Sequence, residues 1–408
     1  MTKKLFDILI VGGGMVGASL ALRFSQAGLQ VAVIEKTPLS LVQDSMPTDA
    51  AETTEPPIDL RVSAINRRSE QWLQDIGVWQ HLPATRLCPY RALQAFEGDS
   101  QHHNEGLTFT ATELNQPYLG HIIENNSLQK TMWQQFNEFI TLFCPATVVS
   151  LSQQSAISGY ASVTTKEFGE ISGRLLIAAD GAQSQLRNLA GIGHNGWQYQ
   201  QACLVATVDT EYPQQDITWQ QFTEQGPRAF LPLPGAQASL VWYDDLPKVK
   251  ALAQLPAAQL ALEIQQNFPA KLGQITVKQQ GWFPLTRMHA NRYWQGRVVL
   301  VGDAAHSINP LAGQGVNLGF ADAALLAELV LQALSEGRDL ADSQLLQQYW
   351  QERKKANLLM MSAMDGFYQL FSSRWPVLRL ARKLGLTAAA KAGPLKAWVG
   401  AYAAGLKG

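Results

Sequence analysis

Residues 301–319, VGDAAHSINPLAGQGVNLG, gather the residue types that active sites use: an Asp, a His, a Pro and a small-residue loop opening an Ala-rich apolar stretch. Yet the segment holds no convincing nucleophile and no acid–base pair. Cys88, Cys144 and Cys203 are odd in number and widely spaced, with no C-x-x-C. That argues against a zinc site or a disulfide framework and fits a reducing compartment. The His residues lack metal-ligand spacing as well, and His102 and His103 sit together in a polar stretch that reads as a solvated loop. The chemistry must then come from something bound. Gly12, Gly14 and Gly17 form G-x-G-x-x-G. In that pattern the first Gly permits a tight turn, the second lets the backbone approach a pyrophosphate, and the third lets helix and strand pack closely. Glu35 lies at the distance where a carboxylate accepts both hydroxyls of a ribose. The acid does not distinguish NAD from FAD, and the plain alternative is an ordinary turn with a strand-end surface Glu.

The elements that must position these residues follow from periodicity. LFDILIV is a short apolar strand, MVGASLALRFSQAG a helix stopped by Gly28, and QVAVIEK a second strand. Together they form a compact β-α-β unit. Residues 40–59, with three prolines and five acids, read as a mobile surface loop. Helical character resumes over 61–80, and residues 85–125 are mostly strand-like. A helix begins near Asn125 or Asn126, and residues 140–180 are strands. Residues 197–245 are successive strands with aromatics, and 256–268 form an amphipathic helix. GRVVLVGDAA is a buried strand, followed by helices to the C-terminus.

Composition bounds the rest. The 408 residues suffice for two or three packed units, and charged residues are only 16%. A formal net charge of -1 gives no reason to expect nucleic-acid binding. No targeting segment is visible, and no apolar run reaches the ~20 residues of a membrane span. The expectation is a cytoplasmic protein.

AADGAQSQLR, with Asp180, Gly181, Ser184 and Arg187, adds a second strand-end motif, and GDAAHSINPLAGQGVN adds a third. With all three motifs in order, the chain resembles the class A flavoprotein aromatic hydroxylases, whose fold is that of p-hydroxybenzoate hydroxylase. DLRVSAINRRS, ENNSLQ, WQYQQAC, TWQQFTEQGPRAFLPL and SLVWYD resemble its ubiquinone-biosynthesis branch. The resemblance implies an α/β fold: a Rossmann-like FAD-binding domain interleaved with a mixed β-sheet substrate domain, plus C-terminal helices. The FAD-binding parts are expected at 1–80, 116–190 and 276–360, the substrate parts at 81–115 and 191–275, and a helical basic tail at 361–408. It also implies FAD as cofactor, NAD(P)H as reductant, and O2 as co-substrate through a C4a-hydroperoxyflavin. The substrate would be a polyprenylated quinol, a demethoxy-methyl-quinol ring being favoured. A sibling phenol hydroxylase, a flavin-dependent prenyl reductase and a non-catalytic FAD-binding scaffold remain alternatives. A halogenase is disfavoured because no W-x-W occurs.

By the same resemblance, Gly12, Gly14, Gly17 and Glu35 hold the ADP half of FAD. Arg61 lies along the flavin, or is a surface charge at a helix start. Gln129 lies near the ribityl chain, and Asn125 stands where many relatives carry Arg. Asp180, Gly181 and Arg187 serve the pyrophosphate and the reductant, Arg187 alternatively forming a salt bridge with Asp180. Asp303 ends a buried strand and needs a hydrogen-bonding partner, for which the ribityl hydroxyls suit. Pro310 is expected beside the flavin where oxygen reacts. Gly313, Gln314, Gly315 and Asn317 begin a helix whose N-terminus faces the charged flavin edge. His306 reads as a packed, hydrogen-bonded core residue.

Strand alternation puts Arg228, Phe230 and Pro232 on one face. That face, with Phe222, Trp242 and Tyr243, is the expected substrate wall, and the Arg228 cation would favour a deprotonated quinol. The plain reading of these aromatics is core. Residues 366–408 contain no Asp or Glu but seven Lys and Arg, among them Arg374, Lys383 and Lys396. That stretch suits an anionic membrane surface or other ubiquinone-biosynthesis proteins, peripheral to the inner membrane.

Overall fold

A computed structural model describes residues 4–38, 58–97, 106–153, 159–307 and 315–372, and Gly405. Pro310, Gly313, Gln314 and the basic tail beyond residue 372 lie outside these residues.

The first eight-stranded sheet has a parallel centre: Val298–Leu300, Gly169–Ala178, Lys4–Val11, Val31–Ile34 and Ile140–Phe143, in that order. Strands covered on both faces read as unbroken apolar runs. Residues 8–11 and 175–178 are such runs and are almost wholly buried. The helix Met15–Gln26 follows the first strand and packs against the helix Gly315–Ser335. The approach is close: a Cβ on Gly319 would sit 2.6 Å from Val16 Cγ2.

The second eight-stranded sheet orders His306–Ser307, Ile275–Ala290, His194–Thr210, Gln237–Asp245, Arg228–Leu233, Ile217–Phe222, Ala92–Glu97 and Leu107–Thr110. Its far face is covered by the helices Leu246–Ala253 and Ala257–Asn267. The latter buries Leu260, Ala261 and Ile264, the stripe of an amphipathic helix. A three-stranded sheet, Val62–Asn66, Gly120–Glu124 and Cys88–Tyr90, lies between the two.

Two expectations are corrected here. Residues 276–290, assigned above to the FAD-binding part, belong to the second sheet through Ile275–Ala290, because that strand pairs with His194–Thr210 near both of its ends, with a break in register between Gln198 and Ala202. The helix Gly315–Ser335 is 21 residues long with a mean hydropathy of 1.5 over its most apolar stretch, so one stretch does reach the length of a membrane span. In the fold it contributes Phe320, Ala323, Leu326 and Val330 to the main core.

Candidate active site

The Gly-rich turn supplies the first wall. Gly12 has φ +104°, and a Cβ there would lie 2.3 Å from the Ala179 carbonyl oxygen. A Cβ on Gly17 would lie 1.9 Å from Gly12 O. Both positions therefore require Gly, one for its backbone and one for its close approach. Gly14 caps the first helix with no side-chain partner, and a Cβ there would meet nothing within 4 Å. The first N–H groups of that helix are thus available to an anion. Glu35 braces the turn: its Oε2 accepts from Gly13 N at 2.7 Å and its Oε1 from Thr37 N at 2.8 Å. Gln129 Nε2 and Trp133 Nε1 both donate to Gly13 O, at 3.0 and 2.7 Å.

Beside this turn opens a cavity of about 370 Å³. One side is lined by Gly14, Gly181, Asp303, Gly315, Arg61 and the strand residues Val62 and Ser63, the other by Val205, Leu231, Ser239, Val241, Phe283 and Leu285. Asp303 does not lie in the core as its strand-end position suggested. Its side chain is exposed into the cleft, with no hydrogen bond from a protein group among the described residues. Desolvation by the cleft raises its pKa from the ordinary value, against the opposing effects of His306 and Arg61. Arg61 is exposed where it lines the cavity. Its segment is fastened by Asp59 and Glu124: Asn126 N donates to Asp59 Oδ2 at 3.0 Å, and Arg86 Nε lies 2.7 Å from Glu124 Oε1. Asn125 also lines the cavity, its Oδ1 accepting from Ser63 Oγ.

Several expected roles change. Arg187 is neither paired with Asp180 nor free to meet a reductant. It is buried, donating to Ala304 O at 2.9 Å and Ala182 O at 3.1 Å, and so ties the second motif to the third. Asp180 instead accepts from Ser184 Oγ and from Gln185 N and Leu186 N, capping the short helix that follows. The Asn317 side chain fastens its helix, accepting from Asn66 N and donating to Ala64 O at 2.8 Å.

The substrate wall is corrected most. Arg228, Phe230 and Pro232 do share a face, but it is the face turned to the helices. Phe230 and Trp242 pack there with Trp219, Leu260 and Phe268, and the Arg228 guanidinium lies 5.4 Å from the Trp242 ring. The alternate residues, Leu231, Ser239 and Val241, face the cavity. Tyr243 shares their side but is buried with Cys203, Val205 and Leu285 and does not line the cavity; Phe222 is buried and also outside it.

Beneath the cleft lies a cluster that sequence reasoning missed. Asp322 is wholly buried; its Oδ2 meets His306 Nε2 at 2.6 Å and accepts from Gly302 N at 2.9 Å, while its Oδ1 accepts from Arg353 Nε at 2.6 Å. Burial acts to raise its pKa, but His306 and Arg353 prevail and hold it well below the usual carboxylate range. Asn357 and Tyr293 extend the network to His289. The available signal was a lone Asp inside an apolar helix, which must find a partner. His306 is the packed, hydrogen-bonded residue expected.

FAD fits this arrangement on three observations: a helix N-terminus at Gly14 that no side chain caps, open space at Gly14, Gly181 and Gly315, and a cleft carboxylate with no hydrogen-bond partner among the described residues. A family described as "FAD binding domain" matches residues 6–363. The chain belongs to this FAD-binding family. It is 44% identical to 3-demethoxyubiquinol 3-hydroxylase of Escherichia coli over the whole of both chains. It is 34% identical to ubiquinone hydroxylase UbiL of Rhodospirillum rubrum, covering 96% of this chain and 88% of that one. Among solved structures it resembles p-nitrophenol 4-monooxygenase of Pseudomonas putida, with TM-score 0.77 and 18% identity over 97% of each chain. It also resembles aklavinone-11 hydroxylase, solved with FAD and aklavinone, with TM-score 0.69 and 20% identity over 92% of this chain and 71% of that one. These structures share the fold of FAD-binding aromatic hydroxylases.

Proposed function

We propose that this chain is an FAD-dependent monooxygenase of ubiquinone biosynthesis that hydroxylates the ring of a polyprenylated quinol, acting as a 3-demethoxyubiquinol 3-hydroxylase. The observation that carries this reading is the full-length 44% identity to that hydroxylase, on a fold that sets an apolar wall across a cavity from the glycine turn. When bound, FAD reduced by NAD(P)H supplies the oxygen chemistry with O2.

The chain's own residues bind, orient and exclude water. The glycine turn and the uncapped helix N-terminus hold the pyrophosphate, with Glu35 and Gln129 bracing the turn. Asp303 accepts hydrogen bonds from the sugar-alcohol chain, and Gly315 opens the helix that faces the flavin edge. Arg61 lines the cavity beside them. Val205, Leu231, Val241, Phe283 and Leu285 form the dry wall against the substrate ring. Pro310, Gly313 and Gln314 are proposed to complete the flavin side of the cavity. The basic tail is proposed to dock on an anionic membrane surface or on partner proteins at the cytoplasmic face of the inner membrane, where a prenyl substrate resides.

Deletion of the gene, followed by mass analysis of the accumulated quinones, tests the reaction. Accumulation of the demethoxy-methyl-quinone is expected; accumulation of a decarboxylated phenol would overturn the assignment of ring position. A truncation before Gly385 that left both liposome binding and co-purification with other ubiquinone-biosynthesis proteins unchanged would remove the tail's proposed role.

A further inference from the structure

Trp197 is 52% exposed, yet its ring is tied by contacts to the cavity wall. It meets Tyr199 edge-on, with 5.9 Å between centroids, and the Arg287 guanidinium lies 4.5 Å from the Trp197 ring centroid. Two residues apart on one strand, Trp197 and Tyr199 project to the same face. Tyr199 is half-buried and packs against Val205 and Leu285, which line the cavity, and Leu60 and Phe283 join the same cluster and the same lining. The lining continues to Thr286, the register partner of Gln198, and the next pair is Arg287 with Trp197. An aromatic track therefore runs from the apolar wall of the cavity to the surface. The strand is irregular just there. Tyr199, Gln200 and Gln201 stand against the single residue Leu285, between the pairs Gln198–Thr286 and Ala202–Pro284. Such bulges bend a strand, re-aim its side chains and recur beside ligand sites. Trp282, 40% exposed, is the contrast: its register partner Leu204 belongs to the helix-covered core, and Lys250 of the helix Leu246–Ala253 lies over its ring.

We infer that Trp197 and Tyr199 hold the prenyl chain of the quinol where it leaves the cavity. This rests on the reading that the cavity receives the ring of a prenylated quinol. A cavity of about 370 Å³ takes the ring but not a long chain as well, so the chain must follow an apolar surface or meet water. Exposed apolar surface that continues a binding cavity marks such a path. Trp and Tyr offer an isoprene unit large, rigid contact area at little conformational cost, and the Arg287 cation over the Trp197 ring fixes its orientation. The track is two rings wide. That width suits a single chain rather than a second protein, whose interface buries about 800 Å² on each partner.

The test uses the FAD-loaded enzyme and two demethoxy-methyl-quinols that differ only in the side chain, one carrying a methyl group and one three isoprene units. The readout is the ratio of kcat/KM for the three-unit quinol to kcat/KM for the methyl quinol. Trp197→Ala and Tyr199→Ala are each expected to lower this ratio about ten- to twentyfold, the equivalent of roughly two buried methylene groups. The loss should appear in KM for the three-unit quinol, with kcat retained. Trp197→Phe should restore most of the ratio, and Trp282→Ala, on the other face of the sheet, should leave it native. Because Trp197 is exposed, its variants should keep the native Tm. A native ratio in both alanine variants would overturn the inference and leave the hydroxylase reading intact. An equal loss in Trp282→Ala would do the same, since it would show a general effect of exposed rings. A native ratio with a changed oligomeric state in light scattering would give the track to a second copy of the chain. A native ratio with lost binding to phosphatidylglycerol–phosphatidylethanolamine vesicles would give it to a lipid surface. Either result overturns the inference. If the native enzyme hydroxylates neither quinol, the proposed function falls and the inference with it.

Discussion

The second sheet has two buried faces that differ in kind. Against the helices it carries Trp219, Phe230 and Trp242, with Trp219 and Phe230 stacked at 5.3 Å. Against the cleft it carries Val205, Leu231, Ser239 and Val241. A face that fills space uses large rings, because each buries much apolar area. A face that must leave about 370 Å³ for a ligand uses mostly small and medium side chains, with Phe283 as an aromatic exception. Richness in aromatics therefore marked the core of this sheet, and the recognition surface is the plainer side. Arg228 belongs to the first face. Burial lowers its pKa, against the opposing effect of Asp244, and its guanidinium lies near the Trp242 and Phe268 rings rather than in the lining of the cavity.

The comparison can be broken most forcefully at Trp242. Trp242→Ala is expected to destabilise the protein by ~3–5 kcal/mol in urea unfolding, the cost of a large core cavity. Turnover per folded, FAD-loaded molecule should be nearly native. A folded variant of native stability that had lost turnover would place Trp242 at the substrate after all. Asp303→Asn is expected to do the reverse. FAD retention should weaken by roughly 10- to 100-fold, the equivalent of one charge-assisted hydrogen bond of ~1.5–3 kcal/mol. The Tm of the FAD-free protein should hold or rise, since no protein partner is lost; a marked fall would show that the carboxylate serves the fold.

Arg228→Leu sharpens the difference between the faces at smaller scale. It should cost at most ~2 kcal/mol, the range of a desolvated cation–aromatic contact. The pH profile of turnover should stay native, and a profile shifted to higher pH would restore the cation to the chemistry. The last effect is absent at neutral pH. Burial lowers the His289 pKa to about 4 from 6.5. The unfolded chain therefore takes up this proton before the folded one does. Its stabilising contribution is full above pH 6.5 and is lost as pH falls toward 4. His289→Gln should flatten that part of the stability curve, measured by urea unfolding across the range; an unchanged slope would mean His289 carries no such linkage.

The three motifs, the β-α-β unit and the order of strands and helices were legible because each depends on local spacing. Glycines between a strand and a helix, and apolar periods of two or 3.6, are written in consecutive residues. So was the alternation that unites Arg228, Phe230 and Pro232. Which of the two faces that alternation turns to the cleft was not legible, since period two is the same on either side and a one-residue shift exchanges them. That choice was made by the helices Leu246–Ala253 and Ala257–Asn267, which cover the aromatic face and leave the other to the cavity. Arg187 shows the same limit. Its place after Asp180 suggested a salt bridge, yet the bonds it makes run to carbonyls at 182 and 304. By itself the sequence determined the family, the cofactor class and the elements that bear the site. Only the tertiary structure decided which side chains meet the ligand, because burial and hydrogen-bond partners are set by segments far apart in the chain, 117 residues for Arg187 with Ala304 and 253 for Asn317 with Ala64.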